Sequence, residues 1–135
     1  MNTLSKMIIN YIDKENLTYE ELSNIMDDLK INVIDEYFKN DGKIVVIKRG
    51  GQIEEYKDYK IKRSIKNAAD DYNLMVNTSD LDIIMDDINK KMDKTKRSVF
   101  RTYEIKDFVK EALTEEGFSK VCESYEKYIQ NQGSI

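Results

Sequence analysis

The period of the apolar positions changes several times along the chain, and each change marks an element. Leu4, Ile8 and Tyr11 lie on one helical face. Thr18 and Glu21 then form an S/T-x-x-E capping box, with Leu22, Ile25, Met26 and Leu29 following at i, i+3, i+4 and i+7. Val33, Ile34, Tyr37 and Phe38 suggest a third short helix. Asn40-Asp41-Gly42 reads as a turn and as the boundary of a helical segment over 1–41. Ile44 to Ile47 is a β-branched run with the composition of a buried strand. Gly50-Gly51 suits a hairpin turn, and Gln52 to Glu55 the returning strand.

From about Asp58 the period is helical again. Ile61, Ile65, Ala68 and Tyr72 mark one face, and a break at Asn73 to Ser79 ends it. Thr78 or Ser79 is expected to cap the next helix, whose apolar face is Leu81, Ile84, Met85, Ile88 and Met92. Its other face carries Asp80, Asp82, Asp86 and Asp87, with neither the glycine nor the loop spacing of an EF-hand, and reads as a solvated surface. Asp93 to Arg97 is a polar turn, and Ser98 to Arg101 a third strand joining the hairpin. Thr102 is expected to cap a helix that turns Ile105, Phe108, Val109, Ala112 and Leu113 inward and ends at Gly117. A last helix packs Phe118, Val121, Cys122, Tyr125 and Tyr128 or Ile129, and 131–135 reads as a frayed tail. The result is four amphipathic helices over 42–130 with a small three-stranded sheet, and no internal repeat.

Charge singles out one stretch. Residues 42–66 hold eight cations (Lys43, Lys48, Arg49, Lys57, Lys60, Lys62, Arg63, Lys66) against Glu54, Glu55 and Asp58. A glycine turn flanked by lysine and arginine, feeding a helix N-terminus, suits a polyphosphate. The cations neutralise it, free backbone N–H groups donate to it, and the helix dipole favours negative charge there.

The same residues carry a family resemblance. Val46-Ile47-Lys48-Arg49-Gly50-Gly51, then Glu54, Lys60-Ile61, Ser64-Ile65 and Ala68-Ala69, resemble the opening of an ATP-cone domain. Thr102, Glu104-Ile105, Val109, Leu113, Gly117-Phe118, Val121, Tyr125 and Tyr128 continue it, so that it covers roughly residues 43 to 130. The single motifs are short; their joint order is the specific part. The resemblance implies an α+β, mainly helical fold: a four-helix bundle capped by the small sheet, with the N-terminal helical segment added. It implies ATP or dATP as ligand, with magnesium as an optional companion and no tightly bound metal. By the same resemblance Lys48 and Arg49 contact phosphates with Lys60 as a third cation, Glu54 accepts from the adenine amine or a sugar hydroxyl, Val46 and Ile61 flank the base, and Thr102 and Lys106 contact the nucleotide from a helix N-terminus. Most have a plainer reading beside them, and the Lys48-Arg49 pair can be an ordinary solvated turn. Lys60 can bridge to Glu54 or Asp58, Glu54 can be a cross-strand partner for a lysine, Val46 and Ile61 can be core, and Thr102 can be a simple N-cap. Three positions depart from the family pattern. Gly50 replaces a turn aspartate, Ile129, Gln130 and Gln132 stand where a cation is usual, and Lys57 adds one between Glu54 and Lys60. Tyr56 keeps the usual aromatic.

The remaining bounds are exclusions. At 135 residues the expectation is one domain, or a cone with an appendage, without the large catalytic barrel that ATP-cones regulate in ribonucleotide reductases. There is no histidine, and one cysteine, Cys122, expected buried and inert. It allows no intramolecular disulfide and fits a reducing cytoplasm. No apolar run approaches the roughly 20 residues of a membrane span, and no signal-peptide pattern opens the chain. No nucleophile–base set or carboxylate dyad can be assembled, so an enzyme is not expected. The leading expectation is a stand-alone nucleotide-sensing module whose occupancy governs homo-oligomerisation or a protein partner, linked to deoxynucleotide metabolism. A small transcription regulator with residues 1–41 as a helix-turn-helix-like head is the alternative. Charge argues against it: those residues hold four lysines and nine acids, a net of −5, and DNA readers need a basic footprint. The cysteine-rich zinc head of ATP-cone repressors cannot be built with one cysteine. A cone used only as scaffold by an interaction or sequestering protein is the remaining reading.

Overall fold

The computed structural model describes residues 1–132. By packing the chain divides into Met1–Ile34 and the residues from Asp35 onward. The first unit holds helix α1 (Thr3–Ile12) and most of α2 (Tyr19–Lys39). The Asn2 side chain accepts from Ser5 N–H at 2.7 Å to start α1, and the Thr18 hydroxyl accepts from Glu21 N–H at 3.2 Å to start α2. The third short helix expected at Val33 to Phe38 is the C-terminal part of α2. No glycine or proline falls between residues 19 and 39, so nothing breaks the helix. No side chain of either helix is buried.

The second unit is built on three short strands and four helices. Strands β1 (Val45–Ile47) and β2 (Ile53–Glu55) form the expected hairpin, antiparallel with Val46 opposite Glu54. The turn closes with Gly51 N–H donating to Lys48 O at 2.9 Å and Lys48 N–H donating to Gln52 O at 2.7 Å. Gly51 takes φ +93°, a conformation that favours glycine. Strand β3 (Val99–Arg101) lies on the other edge of β1 and runs parallel to it, pairing Ile47 with Arg101. The ends of β1 and β3 therefore emerge side by side.

Helices α3 (Asp58–Asp71), α4 (Thr78–Lys94), α5 (Thr102–Glu115) and α6 (Ser119–Gln132) close a ring in which α3 packs on α4 and α6, and α5 on α4 and α6. Their buried faces are the expected ones: Ile61, Ile65, Ala68 and Ala69 from α3; Leu81, Ile84, Met85, Ile88 and Met92 from α4; Ile105, Val109, Ala112 and Leu113 from α5; Val121, Cys122 and Tyr125 from α6. Val46 and Phe100 carry this core into the sheet. Tyr56 ties the sheet to the bundle by donating its hydroxyl to Asn89 Oδ1 at 2.9 Å.

Three local expectations are corrected. Tyr72 is exposed: α3 ends at Asp71, and the ring instead lies 5.3 Å from the Lys127 ammonium. Asn77, not Thr78 or Ser79, caps α4, because its side-chain Oδ1 accepts from Asp80 N–H while the Asp80 carboxylate accepts from Asn77 N–H, a reciprocal pair. Arg101 holds the extended N-cap position of α5, with Thr102 already inside the helix. Of the tail expected to fray, Asn131 and Gln132 are the last residues of α6, and the rest lies outside the described residues. Gly117 ends α5 at φ +87°, as its position predicts. On α4, Asp82 and Asp86 pair with Lys62 and Lys90. No helix among the described residues is long and apolar enough to cross a membrane.

Candidate nucleotide site

Parallel pairing of β1 with β3 fixes what faces what. Lys48 and Arg49 continue past the end of β1, and Arg101 ends β3 beside them. Thr102 opens α5, and Lys106 follows one turn later on the same face. The Thr102 hydroxyl donates to Ile47 O at 3.2 Å, so it holds the start of α5 against the end of β1 instead of capping its own helix. Glu104 supplies the cap contact, accepting from Arg101 N–H at 3.0 Å, while its other oxygen holds Arg97 at 3.1 Å.

Two cavities flank this joint. The larger, about 550 Å³, is lined by Ile47, Lys48, Arg49, Gly50, Gln52, Arg101, Thr102, Tyr103 and Lys106. That lies within the size range of small-molecule sites, roughly 300–1,000 Å³. Four of its lining side chains are cations and none is an acid. The smaller is about 30 Å³ and is bordered by Val46, Glu54, Tyr56, Lys57, Lys60, Ile61 and Ile105. It has room for roughly two waters. Lys48 and Thr102 line both.

Glu54 is held at the wall of the small cavity by two lysines. Its Oε1 accepts from Lys60 Nζ at 3.1 Å and lies 3.6 Å from Lys48 Nζ. The Lys60 hydrogen bond outweighs the cost of burial, and with Lys48 it holds the Glu54 carboxyl below its ordinary value of 4.5. A carboxylate with a lowered pKa contributes stability above that ordinary value and loses it as pH falls through the folded value. Lys57 borders the cavity and lies 3.9 Å from Oε2 of Glu55, which borders it too.

The large cleft has the opposite character. Among the described residues Arg49, Arg101 and Lys106 make no ion pair with an acid, whereas Lys48 has Glu54. Burial lowers the Lys106 pKa first, and repulsion from Lys48, Arg49 and Lys110 adds to it. The folded chain thus holds the Lys106 proton at a cost that a bound anion would offset. Lys106→Gln is therefore expected to leave thermal stability within about 0.5 kcal/mol of wild type while weakening polyphosphate binding several-fold. Thermal denaturation and calorimetric titration check the two halves. A large loss of stability would show that Lys106 supports the fold and not the cleft.

All eight residues singled out by sequence border one cavity or the other: Val46, Glu54, Lys60 and Ile61 the small one, Arg49 and Lys106 the large one, Lys48 and Thr102 both. A family model described as the ATP cone domain matches residues 44–133. The chain belongs to the ATP-cone family. No curated protein matches it.

ATP-cone domains are regulatory and take ATP or dATP as ligands, and membership gives the departures in sequence a geometric meaning. Gly50, where the cone turn usually has aspartate, does not have positive φ. A Cβ there would stand 2.7 Å from Gln52 Oε1, so the Gln52 amide occupies that space and becomes part of the cleft wall. Sequence reasoning did not single out Arg101, Tyr103 or Gln52. An arginine closing a strand immediately before a helix N-terminus was a usable signal for the first. The others depend on the turn conformation and on the parallel placement of β3, which no residue pattern announces.

Proposed function

We propose that the chain is a non-catalytic regulatory module that binds ATP or dATP at this joint, with its phosphates in the cleft of Lys48, Arg49 and Lys106 and its base in the cavity of Val46, Glu54, Lys60 and Ile61. The observation that carries the reading is the shared border. Lys48 and Thr102 belong to a cationic cleft and to a small, partly apolar cavity at once, which is the layout a nucleotide needs. Binding couples the two halves through Glu54. An incoming phosphate competes for Lys48, Glu54 loses one of its two cationic neighbours, and its carboxylate becomes able to accept from an exocyclic amine or a ribose hydroxyl. The cavity then has to widen well beyond its present size to admit a purine, so ligand binding rearranges β2 and the first turn of α3. That rearrangement is the signal.

The output of the signal, in this reading, is a change in self-association or in the hold on a protein partner, in the service of deoxynucleotide metabolism in the cytoplasm. Residues 1–34 offer material for such a contact, because Leu4, Met7, Tyr11, Tyr19 and Val33 are all well exposed. The decisive measurement is a thermal-shift panel of ATP, dATP and non-adenine nucleotides at millimolar concentration. ATP or dATP should raise the melting temperature, since a ligand at about 100 times its Kd adds about 2.7 kcal/mol to the folded state. A folded protein whose melting temperature is indifferent to every nucleotide would remove the sensor reading. Sedimentation with and without dATP then reads the output.

A further inference from the structure

The two cavities differ in readiness, and the difference bears on what the larger one binds. The cleft offers about 550 Å³ of free space and the base cavity only about 30 Å³. The cleft is also unbalanced in charge. Its cations come from three separate segments: Lys48 and Arg49 from the hairpin turn, Arg101 from the end of β3, and Lys106 from α5. The β1–β3 register puts Arg101 beside Ile47, directly before the Lys48-Arg49 pair. The N-terminus of α5 opens at the same place and adds its unpaired N–H groups. No carboxylate lines the cleft. The carboxylates near its cations in sequence are already engaged: Asp107 by Lys110, Glu104 by Arg97 and the Arg101 backbone, and Glu54 by Lys60 and Lys48.

A magnesium ion bound with a nucleotide is ordinarily shared between phosphate oxygens and one or two protein carboxylates. Here it would find no carboxylate and would enter a wall of four cations. A triphosphate tail without metal carries about four negative charges, which those cations can match one for one through charge-assisted hydrogen bonds. Arginine adds a planar fork that can grip one phosphate with two N–H groups. We propose that the cleft binds the triphosphate group as a metal-free polyanion, and that Arg101 is the cation that distinguishes a triphosphate from a shorter tail. The proposal rests on the nucleotide reading for the source of that group, and the cleft recognises the phosphates whether or not a base is attached.

The test is calorimetric and thermal-shift titration of the full chain with inorganic tripolyphosphate, pyrophosphate, ATP and ADP, each with EDTA and with excess magnesium. Tripolyphosphate in EDTA should stabilise the protein by itself, and magnesium should weaken it several-fold. Arg101→Gln should lower tripolyphosphate affinity by about tenfold or more, the scale of a lost charge-assisted contact, and pyrophosphate affinity much less. Arg101→Lys should recover part of the loss, which a purely structural role for Arg101 would not produce. Binding that strengthens with magnesium, or an Arg101→Gln chain equal to wild type on every probe, overturns the proposal. If ATP with magnesium binds but tripolyphosphate does not, this inference fails and the sensor reading stands. If tripolyphosphate binds and ATP adds nothing to it, the cleft stands and the adenine reading fails. No response to any probe removes both.

Discussion

Phe100→Ala is expected to lower the unfolding free energy by about 3–5 kcal/mol, the usual cost of emptying a buried aromatic site. Phe100 is 1% exposed and meets Phe108 edge-on, with ring centroids 5.9 Å apart, and the Arg97 guanidinium lies 4.7 Å from its ring. It is the middle residue of a three-residue strand, opposite Val46. Its removal therefore takes away the main side chain that holds β3 against the bundle. On a domain of this size each kcal/mol moves the melting temperature by roughly 4–8 °C, so a fall of more than about 12 °C is expected by calorimetry. The functional consequence is separate and larger than the stability loss suggests. Arg101 and Thr102 follow directly, and the cleft exists only while the end of β3 stays beside the end of β1. Nucleotide stabilisation should therefore disappear even at a temperature where the variant is folded. Phe100→Leu, which keeps most of the volume, should cost about 1.5 kcal/mol or less and retain binding. An alanine variant that melts near wild type and still binds would show that the joint does not depend on this ring.

The contrast between the helices and the joint explains what could be read in advance. Apolar residues at helical spacing predict a buried face because burial and period are one fact seen twice, and Ile61, Ile65 and Ala68, or Ile84, Ile88 and Met92, lie where their spacing puts them. Tyr72 is the instructive exception. It continues the period of α3, but the helix stops one residue earlier, and an aromatic with a polar end settles at the surface beside a lysine. The third short helix at Val33 to Phe38 failed for the opposite reason, since a second apolar group does not imply a break when no residue interrupts the backbone.

The site was legible as a list of residues and not as an arrangement. Lys48 and Arg49 are visible as a cationic turn, and Thr102 and Lys106 as the start of a helix, but nothing local states that residues 47 and 101 are neighbours. That follows from the parallel pairing of β1 with β3, a tertiary choice. Thr102 shows the cost. Its position near a helix start gives the N-cap expectation, whereas its hydroxyl reaches 55 residues back to the Ile47 carbonyl. Arg101, one residue earlier, passes for an ordinary strand residue until β1 is placed beside it.

Lys48→Ala with Arg49→Ala is expected to abolish nucleotide stabilisation while leaving the protein folded. Arg49 is exposed at the turn, and Lys48 loses only a partly exposed pair to Glu54 at 3.6 Å, a contact worth about 0–1 kcal/mol. The turn itself closes through backbone groups of Lys48, Gly51 and Gln52, which neither substitution touches. Binding is another matter. Hydrogen bonds to charged groups contribute about 1.5–3 kcal/mol each, so loss of two raises Kd by more than about a hundredfold. A nucleotide concentration that stabilises wild type by about 2.7 kcal/mol should then stabilise the variant by less than about 0.4 kcal/mol, which is near the noise of a melting curve. Lys90→Ala, which removes a lysine on α4 paired with Asp86 and outside both cavities, should keep the full shift. If the doubly substituted chain still responds to ATP like wild type, the ligand does not sit at the hairpin turn. If Lys90→Ala loses the response equally, the effect is one of overall charge. Loss at the turn alone ties the response to the one place where strand end, glycine turn and helix start meet.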